Sequence, residues 1–477
     1  MKSDAPGDMA ELDAVATVDL VRRGQVSALE VTEAAITRIE ALDPQLNAVI
    51  HRRYDQARRE AAVVDGGQPL AGVPLLLKDV DLAGDPHFNG SRVYARLDQR
   101  LTSTDLFAAR LQAAGAILLG RTNIPEFTSR PVTESVLHGA CRNPWDLDRT
   151  PGGSSGGAAA AVAAGMVPAA QSSDGGGSSR IPAAATGLFT LKTSRGRTPL
   201  APSGADWMDI TASKSFLTRT VRDFATLLDV VAGQDRIETI GAPAAIRPFA
   251  QEVGADPGRL RIGFTTIGPG ASAPLDGEAV KAVEDAAALL AQLGHQVEEV
   301  APDTYTSEES LDILRGYWPI KVAMRAAPAE RALGRPLGED DLEPLTLAML
   351  NRARRTTMAE TGALLLQIRD FTLRSLAWWE DYDLLLTATT GQAAPRIGET
   401  DGRGEAAQLA TYRWSVLTPF ANITGQPAAS IPLHWTAEGL PLGVQLIADA
   451  WRDDLLLRVA SQLEAARPWA VRLAAMR

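Results

Sequence analysis

Short, almost wholly apolar runs recur far apart along this chain and alternate with helix-patterned stretches, and that alternation restricts the fold more than any other feature. GVPLLL (72–77), TDLFAARLQAAG (104–115) and AILLG (116–120) open the series. RLRIGFTTI (259–267), EAVKAVEDAAALLAQLG (278–294) and HQVEEV (295–300) repeat it, and YDLLLTAT (382–389), PAASIPL (427–433) and LGVQLIA (442–448) close it. Runs apolar on both faces belong to strands covered on both sides. Set between helices, they predict an α/β fold with a mixed, mostly parallel central β-sheet covered by helices on both faces. No Pro- or Ser-rich linker and no internal repeat interrupts the chain, so one continuous domain over 1–477 is expected.

Two stretches stand apart. Residues 10–50 read as an N-terminal helical arm, because Ser27-Ala-Leu-Glu30 forms a capping box before VTEAAITRIEAL, which should stop at Asp43-Pro44. Residues 303–380 read as a helical insertion carrying Tyr305, Tyr317, Trp318, Trp378 and Trp379.

Composition narrows the partners. With 477 residues and 45% apolar content the chain can bury a large core, while a net charge of −11 opposes binding to nucleic acid or an anionic membrane. The N-terminus MKSDAPGDMAELD has charges where a secretory signal needs an apolar stretch, and no uncharged apolar run reaches 18 residues. A single cysteine, Cys141, precludes an intrachain disulfide and multi-cysteine metal binding. A cytoplasmic protein without metal or other cofactor is the expectation.

Two segments are unusually rich in glycine and serine: TPGGSSGGAAAAVAAG (150–165), around Ser154, and SSDGGGSSRIP (172–182), with Gly175, Gly176 and Gly177 leading into Ser178. Such runs let backbone amides converge on an anion without side-chain obstruction. Neither has the G-x-x-x-x-G-K-[ST] or G-x-G-x-x-G spacing of a phosphate loop; GPGASA (268–273) fits only a looser form, with Pro269 against it. A flexible turn remains the alternative for each loop alone. Lys78, at the end of GVPLLLK, would by itself be a solvated strand end. The five histidines, His51, His87, His138, His295 and His434, are scattered, with no G-x-S-x-G at either serine loop and no H-E-x-x-H.

Taken in order, GVPLLLKD, PGGSSGG and SDGGGSSRIP resemble the amidase signature family, with 24 residues (178 − 154) between the two serines. GRTNIPEF (120–127), NPWDLDRTPGGSSGG (143–157), TPFANITGQPAASIPL and GLPLGVQLI (418–447) extend the resemblance over nearly the whole chain, and NPWDLDR with RIPAAATGLFTLKTSRGR (180–197) and WRDDLLLRVASQLEAARPW (451–469) has the look of the nylon-oligomer (6-aminohexanoate cyclic dimer) hydrolase branch. The resemblance implies Ser178 as nucleophile, Ser154 as a bridging serine held by a cis peptide, and Lys78 as base. It implies an oxyanion hole from the backbone amides of Gly175, Gly176, Gly177 and Ser178, with Asp174 and Arg180 in support. Departures from the family pattern are Ser172-Ser173 where Gly-Thr is usual, Gly175 where a larger residue is common, and His434 in place of a glycine.

The chemistry such an assignment requires is definite. A serine hydroxyl needs a base, and lysine serves only when neutral; at a reference pKa of about 10.4 roughly one in a thousand or fewer would be so at pH 7, but burial lowers a lysine by up to ~3–5 units. The expected activity is hydrolysis of amides, lipophilic or aryl amides and anilides foremost, with carbamates (urethanes) or esters as further substrates and water as acyl acceptor. Trp207, Met208 and the aromatics of the insertion are candidates to line the pocket, or else core. A homodimer is an assembly this reading allows. The competing readings are the glutaminase subunit of a tRNA-dependent amidotransferase, disfavoured by ILRGYWPIKVAMRAAPAERALGRPL (313–337), where a tyrosine-rich segment would be expected, and a non-catalytic ligand-binding homologue.

Overall fold

The computed structural model describes residues 9–79, 84–86, 88–98, 100, 104–202, 209–236, 238–270, 274–400 and 404–476, without the side chains of 404–408 and 474–476. In chain order the strands are β1 (Val49–Arg52), β2 (Pro74–Lys78), β3 (Ile117–Thr122), β4 (Glu134–Ser135), β5 (Gly139–Ala140), β6 (Ala169–Asp174), β7 (Thr190–Lys192), β8 (Ser213–Thr218), β9 (Arg261–Phe264), β10 (Gln296–Glu299), β11 (Leu384–Ala388), β12 (Ala428–Trp435) and β13 (Pro441–Ala448). β4 and β5 form a small separate hairpin. The others assemble in the order β1-β3-β2-β6-β8 and β10-β9-β11-β13-β12-β7.

The two sheets meet where Phe189 and Thr218 exchange backbone hydrogen bonds of 2.9 and 3.1 Å. One core cluster spans the join, including Leu75, Leu118, Phe216, Leu386 and Val444. The α/β class with a mixed sheet flanked by helices is as expected. The majority of parallel pairings is not. Within these two sheets, among the described residues, β2–β3, β2–β6, β9–β10 and β9–β11 are parallel, four against five antiparallel: β1–β3, β6–β8, β11–β13, β12–β13 and β7–β12. Part of the reason is local. A tight turn closed by Thr436 N to Leu440 O (2.8 Å) joins β12 to β13, and so short a link permits only antiparallel pairing.

The helix Ala28–Leu46 starts at the anticipated capping box, with both Ser27–Glu30 bonds made, but runs past Pro44 to Leu46. It stops where Asp43 turns its carboxylate onto the amides of Ala48 and Val49 (2.7 and 2.9 Å) and Asn47 adopts a left-handed conformation. Residues 303–380 form the helices Asp303–Thr306, Glu309–Leu333, Pro344–Arg355 and Met358–Leu376, then a 3₁₀ turn, Ala377–Glu380. No helix among the described residues is long and apolar enough to cross a membrane.

Three features position the site. β2 is buried along its whole length, which delivers Lys78 from its C-terminal end into the interior. The helix Gly156–Ala163, whose small residues are all buried, begins immediately after the first glycine–serine loop. The second loop leaves the end of β6 and enters the helix Arg180–Thr186.

Candidate active site

Lys78 has no exposed surface, and its Nζ donates to Ser154 Oγ at 2.8 Å and to Ser173 Oγ at 2.9 Å. Its backbone N–H donates to Gln171 Oε1 at 2.8 Å. Side chains alternate across a strand, so Gln171 and Ser173 of β6 share the face toward Lys78, while Ser172 faces away and accepts from Ser179 Oγ at 2.8 Å. Ser154 is buried and the Gly153–Ser154 peptide is cis, as the resemblance implied. The next residue ties the two loops together: Ser155 N donates to Ser178 O at 3.2 Å.

Ser178 borders a cavity of about 490 Å³ together with Gly153 and Gly176. Among the described residues Ser178 Oγ makes no hydrogen bond, so the structure joins Lys78 to Ser154 and leaves the Ser178 hydroxyl open to the cavity. The amides of Gly175, Gly176 and Ser178 likewise donate to no protein acceptor among these residues. Gly177 differs from the sequence expectation, because its N–H is given to Asp174 Oδ1 at 2.7 Å. Of the four amides named from sequence, three are thus without a protein acceptor among the described residues. Gly177 has φ +118°, and a Cβ there would collide with Thr418 Oγ1, which itself donates to Gly176 O at 2.7 Å.

Asp174 and Arg180 hold this loop from beneath, both fully buried. The Asp174 carboxylate accepts from Gly177 N, from Ser179 N and Arg180 N (each 3.3 Å), from Arg180 Nε and Nη2 (each 2.9 Å) and from Asn422 Nδ2 (2.9 Å). Burial pushes this carboxyl up, but the Arg180 guanidinium and the Asn422 amide outweigh it and hold it well below the usual carboxylate range. Arg180 also donates to Thr418 O, Gln445 Oε1 and Asn422 Oδ1 at 2.9, 2.5 and 2.6 Å.

The cavity wall is largely apolar, with Ile181, Leu311, Leu314, Trp318, Met349 and Val416 among its residues, and with Arg130, Arg315 and Arg352 as its charged members. Of the insertion aromatics named from sequence, only Trp318 lines it; Tyr305, Tyr317 and Trp379 are core residues, and Trp378 stacks on Tyr382 at 4.3 Å. Trp207 and Met208 lie outside the described residues. His434 binds Glu278 Oε2 at 2.7 Å and borders a different cleft, and Cys141 is buried, which pushes its thiol up.

Sequence reading passed over Ser173 as an acceptor for Lys78, although its two-residue spacing from Gln171 on a strand leading to Ser178 carried that signal. Thr418 and Asn422 stand within the TPFANITGQP run, but nothing local tells that they reach residues 174–180.

A family profile described as Amidase matches residues 30–457. Over 473 residues the chain is 39% identical to 6-aminohexanoate-cyclic-dimer hydrolase of Paenarthrobacter ureafaciens, covering 96% of each protein. The solved structure of 6-aminohexanoate cyclic dimer hydrolase complexed with substrate superposes with a TM-score of 0.92 at 38% identity, over 97% of this chain and 98% of that one. A bacterial aryl acylamidase of the amidase signature family superposes at 0.88 with 29% identity, over 98% of both chains. The buried Lys78–Ser154 contact beside two converging glycine–serine loops is thus set in a fold shared along its full length, and the chain belongs to the amidase signature family of enzymes that hydrolyse amide C–N bonds.

Proposed function

We propose that Ser178 attacks the substrate carbonyl while its proton passes to Ser154, whose own proton passes to the neutral amine of Lys78. The observation that carries this is the 2.8 Å contact from Lys78 Nζ to Ser154 Oγ, both buried, next to the cavity into which Ser178 opens. Lys78 Nζ lies buried against the Ser154 and Ser173 oxygens, and burial disfavours the charged form of an amine. The Ser178–Ser154 hydrogen bond forms as substrate enters, in keeping with catalytic hydrogen bonds that tighten only in the loaded enzyme. The amides of Gly175, Gly176 and Ser178 supply the donors for the tetrahedral oxyanion, each such donor worth about 10²–10³ in rate.

Collapse of the intermediate breaks the C–N bond, and the same relay run backwards protonates the departing amine. This leaves an acyl-enzyme ester on Ser178. Water then attacks that ester, giving up its proton by the same route and releasing the acid.

The substrates are lipophilic or aryl amides and anilides, and carbamates and activated esters of similar shape. The apolar wall made by Leu311, Leu314, Trp318 and Met349 supports this over the small polar side chain of glutamine, and so does similarity to an aryl acylamidase and to a cyclic-amide hydrolase. The test is turnover of a panel of anilides, urethanes and esters by wild type and Ser178→Ala, with mass spectrometry to trap the acyl-enzyme. An adduct on Ser178 and loss of turnover in the variant are expected. An adduct on Ser154, or full activity in Ser178→Ala, removes the assignment.

A further inference from the structure

We propose that Lys321 is a positioning residue for the oxyanion loop: its side chain fills the space beside Gly175 and holds the Gly175–Gly176 backbone, with its free amides, against the reacting carbonyl. The proposal rests on the reading of Ser178 as nucleophile.

Lys321 and Trp318 stand three residues apart on one face of the helix Glu309–Leu333. That face lies directly on the loop. A Cβ placed on Gly175 would stand 2.8 Å from Lys321 Nζ, and one on Gly176 would stand 3.3 Å from Trp318 Cζ3. Residue 175 therefore lacks a side chain where Lys321 supplies the packing from another element.

The lysine is itself fixed. It is buried, paired with Asp209 Oδ1 at 2.6 Å, bonded to Thr211 Oγ1 at 3.0 Å, and set over the Trp318 ring at 5.1 Å. Thr211 continues the chain of contacts toward the loop. Its carbonyl accepts from Asn422 Nδ2 at 3.0 Å, and the same amide group donates to Asp174 O and Oδ1 at 3.1 and 2.9 Å. From the opposite side Thr418 holds Gly176 O. The loop is thus held between the insertion helix and the region 418–422, with Lys321 as the contact at its free end.

A buried ammonium is costly compared with an apolar side chain of equal length, so mere filling of space would be met better by methionine. What an ammonium adds is a rigid, partnered head group and a positive charge beside amides that receive an oxyanion. Its effect should fall on the transition state and spare ground-state binding.

The test is Lys321→Met, which keeps the stem and removes the ammonium. On an anilide substrate, kcat should fall about 10- to 100-fold with KM within about twofold, a fraction of the loss seen when a direct oxyanion donor is removed. Affinity for a trifluoromethyl ketone that mimics the tetrahedral adduct should fall in proportion, while affinity for the product amine stays constant. A role confined to stability would move neither ratio. A second pair keeps the test decisive if that variant folds poorly: adding Gly175→Ala to Lys321→Ala should recover part of the kcat lost in Lys321→Ala, because the new methyl group enters the vacated space. Unchanged kcat and ketone affinity in Lys321→Met, or no recovery in the pair, overturns the proposal while Ser178→Ala stays inactive. Full activity in Ser178→Ala would instead remove the reading on which it rests.

Discussion

Replacing Asp174 by asparagine tests the support beneath the reactive loop. Its two carboxylate oxygens receive three donors each: Gly177 N, Arg180 Nη2 and Asn422 Nδ2 on Oδ1, and Ser179 N, Arg180 N and Arg180 Nε on Oδ2. Whichever way the amide turns, its NH₂ faces three donors, and the buried Arg180 guanidinium loses its counter-ion. Breaking one partner of a buried ion pair costs about 3–5 kcal/mol. With an unfolding entropy of about 2.1 cal/mol/K per residue, the 477 residues give roughly 1 kcal/mol per kelvin, so the melting temperature should fall by about 3–5 °C. Because Gly177 N is one of the released donors, kcat on an anilide should fall more than about tenfold.

The pH dependence has a definite sign. The folded carboxyl is held below its ordinary value of 3.8, so its contribution is present above that value and is lost only as pH falls through the lowered one. The stability gap between wild type and Asp174→Asn should therefore be constant from neutral pH down to about 5 and narrow only in stronger acid. Arg180→Met should cost a similar amount, and the double variant less than the two together, since the pair acts as a unit. Thermal and urea unfolding with parallel turnover measurements decide the matter. A variant within about 1 kcal/mol of wild type, with unchanged kcat, would refute the reasoning.

Gly177→Ala should lose stability by about 1–3 kcal/mol from its left-handed backbone alone, and lose most turnover as Thr418 and the loop are forced apart; wild-type melting and kcat together would contradict it. Burial pushes Glu126 up to about 7, with the Glu343 backbone N–H lowering and the Glu343 carboxylate raising it. Its contribution is fully present below the ordinary 4.5 and is lost as pH rises through about 7. Glu126→Gln should accordingly show a smaller loss of melting temperature than wild type between about pH 5 and about pH 8, and identical slopes would show that Glu126 does not titrate in this way.

Lys78 and Ser154 were legible in sequence because each sits at a locally marked place, the end of an apolar strand and a glycine-rich loop. Their contact joins residues 76 apart, and only the resemblance of the three segments together suggested it. Gly177 shows the opposite case: a run of three glycines looks like a row of equivalent donors, yet the carboxylate three residues earlier claims one of them. Tyr317 and Trp318 are adjacent in sequence, but a helix turns successive side chains by about 100°, so one enters the core and the other faces the cavity. The sheet was legible as to class and not as to pairing direction. Apolar runs announce burial, whereas direction depends on connections such as the tight turn between β12 and β13.

The contacts of Arg180 bear on the order in which this protein can become active. Every group of the proposed proton relay has been synthesised once residue 178 is made. The guanidinium beside it nevertheless needs Thr418, Asn422 and Gln445, which are 238, 242 and 265 residues further along. A chain that stops short of them lacks three of the acceptors that hold the Arg180 guanidinium in the folded protein. Turnover in a translation reaction is therefore expected only once the strand that carries Gln445 has been made.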